Sequence, residues 1–168
     1  MMTPQKSLSA ALNARIIGSG IETIVFCHGF GADQSIWDKI IPLLAENYSL
    51  VLFDWPFSGT VTDKNLYDHA KYTSFKPYAD DLITIIGEMV LKCVTFVGHS
   101  MSAMIGSFAS TKKPELFKRL ILKTVVDVAT IISNEIHQAI LSTPSPTGVS
   151  KPLGFPGLIM GLCQAASS

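Results

Sequence analysis

Apolar positions along the chain alternate between short unbroken runs and stretches with helical spacing. Thr23 to Cys27, Ser49 to Phe53 and Cys93 to Val97 are near-continuous apolar runs. That is the pattern of strands covered on both faces. Ala14 to Ile17 is a shorter run, joined to the next by Gly18-Ser19-Gly20, and Leu120 to Leu122 begins a further strand. Ser35 is expected to start a helix, with Asp38 completing a capping box. Ile36, Ile40, Leu43 and Leu44 give that helix an apolar face, and Pro42 is expected to kink or shorten it. Ser74 is expected to cap a longer helix in which Phe75, Tyr78, Ala79, Leu82, Ile86 and Met89 recur at helical spacing. Asp80 and Asp81 in its early turns complement the helix dipole. Met101, Met104, Ile105, Phe108 and Ala109 mark another helix, which Pro114 closes.

Strands alternating with helices in this way predict an α/β fold built on a mostly parallel, doubly wound sheet. Trp55 to Tyr72 reads as a long polar loop. Residues 1–122 form the α/β core, 123–141 a further helix, and 142–168 an irregular tail marked by Pro144, Pro146, Pro152 and Pro156.

Composition narrows the function classes. Lys and Arg number 13 and Asp and Glu 13, a formal net charge of zero. Binding to nucleic acid through phosphate neutralisation needs a basic face, so that class is disfavoured. Charged residues make up 15% of the chain and hydrophobic ones 48%, which argues against disorder over most of its length. No apolar stretch reaches the roughly 20 residues of a spanning helix, and the N-terminus lacks the apolar centre of a signal peptide. A cytoplasmic or nuclear location, away from membranes, is the expectation. Cys27, Cys93 and Cys163 fit neither a disulfide framework nor a zinc site and read as buried or incidental thiols. No glycine-rich phosphate loop follows a strand, so a nucleotide-binding domain is disfavoured. Neither a metal nor a cofactor is expected.

The segment that carries chemistry is Val94-Thr95-Phe96-Val97-Gly98-His99-Ser100-Met101-Ser102. A strand runs into a sharp turn with Ser100 at its apex, and a helix starts at once. This is the setting of a nucleophile elbow, which lifts the serine hydroxyl above the sheet edge. Strand and helix backbones nearly touch there, so small neighbours are required. Gly98 and Ser102 supply them, with Ser102 standing where the usual pattern has Gly. His28-Gly29-Phe30-Gly31 follows an earlier strand, the place where such folds put half of an oxyanion hole. The backbone N–H groups of Phe30 and Met101 are the natural donor pair.

With these motifs in view, the chain resembles the α/β-hydrolase superfamily. Within it, the likeness is to the plant strigolactone-esterase and karrikin-receptor family and its bacterial relative RsbQ. The matching strings include Leu12-Asn13-Ala14-Arg15, His28-Gly29-Phe30-Gly31, Asp33-Gln34-Ser35, Phe57-Ser58-Gly59 and Gly98-His99-Ser100-Met101-Ser102. Pro114-Glu115-Leu116-Phe117 with Leu120-Ile121-Leu122 closes the likeness, which runs from about Ser7 to Leu122. Ser102 in place of Gly is common in that family. The resemblance implies a hydrolase that doubles as a receptor for a small apolar butenolide, with Ser100 as nucleophile. It implies Phe30 and Met101 as oxyanion donors, and His28 shaping the hole without serving as base. Gly29, Gly31, Gly98, His99 and Ser102 support the elbow and pocket. It further implies a lid that recruits an F-box protein in complete members.

The family's triad runs serine, acid, histidine along the chain. After Leu122 its pattern breaks off, and no lid-length segment, acid turn or Gly-His string follows. The expectation is therefore an incomplete fold, with the lid and last strands missing. Asp127 and His137 have the right order, but on one helix they lie nearly three turns apart, too far for a triad bond. Asp54 reads as a turn residue, His69 as a surface residue, and Trp37 and Trp55 as core or pocket wall. The alternative function is a truncated, catalytically inactive product.

Overall fold

The computed structural model describes residues 6–123 and the strand Gly157–Gly161. Strands β1 (Arg15–Ile17), β2 (Thr23–Cys27), β3 (Ser49–Leu52), β4 (Val94–His99), β5 (Phe117–Lys123) and β6 (Gly157–Gly161) form one sheet in the order β1-β3-β2-β4-β5-β6. The inner strands β3, β2, β4 and β5 pair in parallel, and the two edge pairings are antiparallel. Helices are α1 (Leu8–Ala11), α2 (Ile41–Leu44), α3 (Phe75–Glu88) and α4 (Met101–Lys112).

Side chains alternate across the sheet with the period of two that strands impose. Val25, Cys27, Val51, Phe96, Leu120 and Leu122 pack under α3 and α4, against Leu82, Ile85, Ile86, Ala103, Ile105 and Ala109. Ile24, Phe26, Leu50, Leu52, Val97 and Ile121 face the other way, against Trp37, Ile40 and Leu44. Both faces are thus covered, which is why the strand sequences are apolar at nearly every position. Each fully buried large side chain contributes about 1.5–3 kcal/mol by leaving water.

The connections set the position of the site. From β2 the chain turns by way of α2 to β3 on one side. From β3 it crosses by way of α3 to β4 on the other side of β2. The carboxyl ends of β2 and β4 therefore border the point where the winding reverses, and in open α/β sheets such a crevice is where ligands bind. His28 follows β2, and Ser100 follows β4.

The helix expected from Ser35 is two short pieces. A 3-10 turn spans Gln34–Trp37, and its cap is Asp33, whose carboxylate accepts from the Ser35 amide at 2.8 Å. The extended backbone of Asp33 (φ −142°) brings its side chain over that amide, so Ser35 and Asp38 form no capping box. Pro42 lies in the first turn of α2, where its missing N–H costs nothing. Ser74 does occupy the N-cap of α3, but its side chain makes no capping bond. Asp80 and Asp81 lie beyond the first turn of α3 and answer to side chains instead of the dipole. Asp80 pairs with Lys112 at 2.5 Å, and Asp81 accepts from Lys71 at 2.9 Å and from the Tyr72 hydroxyl at 2.5 Å.

These bonds anchor the end of the long connection after Trp55. Trp55, Val61 and Tyr72 are buried, and a 3-10 turn spans Lys64–Leu66, so this long loop is folded against the core. The tail expected to be irregular contains β6, paired along β5 from Lys123↔Gly157 to Arg119↔Gly161. An edge strand leaves a row of unpaired backbone groups, and pairing with the apolar run of β6 satisfies that edge. The helix expected over 123–141 lies, apart from Lys123, outside the described residues. Cys27 is a free buried thiol, while Cys93 is disulfide-bonded and so is not an incidental thiol. Among the described residues no helix is long and apolar enough to cross a membrane.

Gly106 on α4 lies so close to β4 that a Cβ would stand 2.2 Å from Cε1 of Phe96 and 2.7 Å from its Cδ1. Gly106→Ala is expected to lower the unfolding free energy by about 1–3 kcal/mol through this overpacking. Urea denaturation would show it as a lower midpoint with an unchanged slope.

Candidate active site

Ser100 joins β4 to α4 with φ 54° and ψ −115°. A side-chain-bearing residue enters the positive-φ region only when its surroundings hold it there. Two backbone bonds do so. The Ser100 amide donates to the Lys123 carbonyl at 2.6 Å, and the Ser100 carbonyl accepts from the Ala103 amide at 2.9 Å. Gly98 supplies the space: a Cβ there would lie 2.7 Å from both the Ser102 carbonyl oxygen and Cε1 of Phe96. The Ser100 side chain is left exposed at the carboxyl end of β4.

The loop after β2 lies against this turn. A Cβ on Gly29 would stand 2.9 Å from Nδ1 of His99 and 3.1 Å from Cβ of Ser100. Only glycine permits that approach. Gly31 bends the loop with a φ of +74°. Phe30 between them is 73% exposed and rests on Phe57, ring centroids 5.1 Å apart. Met101 opens α4 half-buried against the core. The structure therefore brings together His28, Gly29, Phe30, Gly31, Gly98, His99, Ser100, Met101 and Ser102, all of which the sequence singled out.

His28 is fully buried, and both ring nitrogens are committed. Nε2 accepts from the Trp55 amide at 3.1 Å, and Nδ1 donates to the Gly29 carbonyl at 2.8 Å. An amide N–H can only donate, so the bonds require the neutral tautomer protonated on Nδ1. Burial lowers the His28 pKa below 6.5, against the opposing pull of the Gly29 bond and of Asp54. This ring braces the loop. His99 is held below 6.5 by burial too, and its Nδ1 is a buried ring atom without a hydrogen-bond partner.

Asp54 accepts from Asn13 Nδ2 at 3.0 Å, from the Gln34 amide at 2.9 Å, from Gln34 Nε2 at 3.0 Å and from Thr60 Oγ1 at 2.8 Å. It is 1% exposed, and these donors compensate for burying the carboxylate. It ties the N-terminal segment, the loop after β2 and the loop after β3 together, the turn role expected of it. Asn13, Gln34 and Thr60 were not read as site residues from the sequence. Asn13 and Gln34 did lie within strings that carry the family resemblance, and Thr60 directly follows Gly59. His69 is exposed and stacks edge-on with Tyr67, and Trp37 and Trp55 are core residues. Asp127 and His137 lie outside the described residues.

A mostly parallel sheet, a strained serine between strand and helix, and a glycine loop pressed against it define the class of α/β hydrolases. The chain belongs to the alpha/beta hydrolase family, whose pattern matches residues 24–162. It is 43% identical to strigolactone esterase D14 of Arabidopsis thaliana over 118 residues, 70% of this chain and 44% of that protein. It is 45% identical to karrikin insensitive 2 receptor B of Petunia hybrida over 112 residues, 67% of this chain and 41% of that protein. A hydrolase from Oleispira antarctica shares the fold with a TM-score of 0.64 and 31% identity, over 67% of this chain and 41% of that one. The chain thus spans less than half the length of these relatives.

The two histidines whose pKa burial lowers set a pH dependence. A histidine whose folded pKa is lowered stays neutral while the unfolded chain takes up its proton. Its contribution to stability is complete above 6.5 and is lost as pH falls toward the folded value. Thermal melts between pH 7.5 and 5 are expected to show a falling midpoint that begins near 6.5. His28→Asn is expected to make that fall shallower, with His99 supplying the remainder.

Proposed function

We propose that the chain carries the nucleophile half of an esterase-type site. Ser100 is the attacking group, and the backbone amides of Phe30 and Met101 receive the developing oxyanion. The observation that carries this reading is Ser100 itself, an exposed hydroxyl on a positive-φ turn with Gly29 packed against its Cβ. Strain of this kind is kept where the surroundings over-determine it, and catalytic turns are a common case. The first residue of a helix and a neighbouring glycine loop also offer backbone N–H groups that no intrahelical bond consumes. Each well-placed donor is worth about 3 kcal/mol of transition-state stabilisation.

The ligand class follows from the relatives, which are named as a strigolactone esterase and a karrikin receptor. A small apolar butenolide is the ligand class the family resemblance implies, and the exposed Phe30 ring, resting on Phe57 in the loop pressed against Ser100, offers it an apolar contact. Attack of the serine oxygen on the ring carbonyl forms a tetrahedral adduct, and its collapse breaks the bond between the acyl carbon and the ring oxygen, opening the ring to an acyl-enzyme whose freed oxygen takes up the proton that the serine gives up. The serine proton must pass to a base. His28 does not take that role, because both its nitrogens are bonded to backbone.

A second reading is ligand binding without turnover. The commitment of His28 to backbone favours it, because that ring is withheld from Ser100 and a serine without a base is a weak nucleophile. A fluorophosphonate probe separates the two. Labelling of the folded chain at Ser100, abolished in Ser100→Ala, is the expected result. Its absence in protein that still melts cooperatively would leave binding alone, measurable by titration with a butenolide.

A further inference from the structure

Ser102 stands where the usual elbow has glycine, and its small size would suffice for the packing of β4 on α4. Its hydroxyl does more. The side chain is fully buried, and Oγ donates to the His28 carbonyl at 2.5 Å. The Trp55 indole N–H is directed at the same two atoms, Ser102 Oγ at 2.8 Å and the His28 carbonyl at 3.1 Å. The direction of each bond is forced. The indole can only donate and the carbonyl can only accept, so the hydroxyl accepts from one and donates to the other. The carbonyl receives two donors and the hydroxyl is used in both capacities, in a pocket closed to water.

The bonded carbonyl belongs to the peptide that joins His28 to Gly29. A peptide is a rigid plane, so holding its oxygen fixes the direction in which the chain enters Gly29 and Phe30. Gly29 has no Cβ and resists rotation weakly by itself. The loop that must present its amide to Ser100 therefore depends on an external restraint at its first peptide. Ser102 lies on the same helical turn as Ser100, so the restraint is referred to the nucleophile's own element.

We propose that Ser102, together with Trp55, is a positioning pair for the oxyanion loop: it clamps the His28–Gly29 peptide and so sets Phe30 against Ser100. The proposal concerns the order of the loop. Its consequence for reactivity rests on the reading of Ser100 as nucleophile.

The test uses the full chain and the variants Ser102→Ala, Ser102→Gly, Trp55→Phe and Ser102→Ala/Trp55→Phe. Two readouts are taken: backbone order parameters of the Gly29, Phe30 and Gly31 amides, and the rate of fluorophosphonate labelling at Ser100. The expected result is that the loop amides fall from about 0.85 to below about 0.6 in each single variant, while β2 and β4 amides stay rigid. Labelling slows about tenfold in each, a modest misplacement of the donor loop. The double variant is no slower than the slower single, because both side chains act through one carbonyl.

Loop amides as rigid as in the parent overturn the proposal, and so does a loosened loop with an unchanged labelling rate. If the parent itself is not labelled, the nucleophile reading fails, and the order parameters alone decide the clamp. Trp55→Phe carries the same expectation should Ser102→Ala fail to fold.

Discussion

The constraint on which the site depends is the unfavourable backbone of Ser100. A positive φ on a residue with a side chain costs about 1–3 kcal/mol, and it persists only if its neighbours leave no alternative. Here β4 is paired on both sides, by β2 and β5, so the end of the strand cannot shift. The Ser100 amide is taken by Lys123 of β5. α4 must start immediately, and Gly98 and Gly106 let it descend onto Phe96. Relaxing Ser100 would mean moving the middle of the sheet. Strain and core packing are therefore one problem, solved by the same apolar strands.

A second layer, polar and buried, connects the loops that surround this turn. Asp54 gathers Asn13, Gln34 and Thr60, while His28 links Trp55 to Gly29. Loops at a strand end have backbone groups that no ladder satisfies, and buried ones must find side-chain partners. The network meets that need with few residues. It also explains why the only fully buried histidine among the described residues is neutral and braced, unavailable as a proton acceptor.

Much of this was legible in the chain order. Gly98-His99-Ser100-Met101-Ser102 and His28-Gly29-Phe30-Gly31 could be read because a sharp strand-to-helix turn and a close backbone approach admit few residue types. The doubly wound sheet could be read because strands buried on both faces have to be apolar throughout. Other features were hidden by their physics. Ser35 and Asp33 both suit a cap, and only the extended backbone at Asp33 decides between them. The acids of α3 suit dipole partners by position, but the side chains of Lys71, Tyr72 and Lys112 engage them instead. The apolar run of β6 lies among prolines and glycines, and its pairing with β5 is a long-range contact that no local pattern encodes.

The sequence by itself determined the class of fold, the alternation of its inner strands with helices, and the serine and glycines of the candidate site. These follow from local sterics and from the periodicity of burial, which are written residue by residue. The tertiary structure alone decided that the two motifs meet at the carboxyl ends of β2 and β4. It also decided that Asp54 holds three separate segments, that His28 is consumed by backbone, and that Ser102 and Trp55 converge on one carbonyl. Those are contacts between residues far apart in the chain. Their partners are chosen by how the sheet is wound, and no spacing along the sequence carries that information.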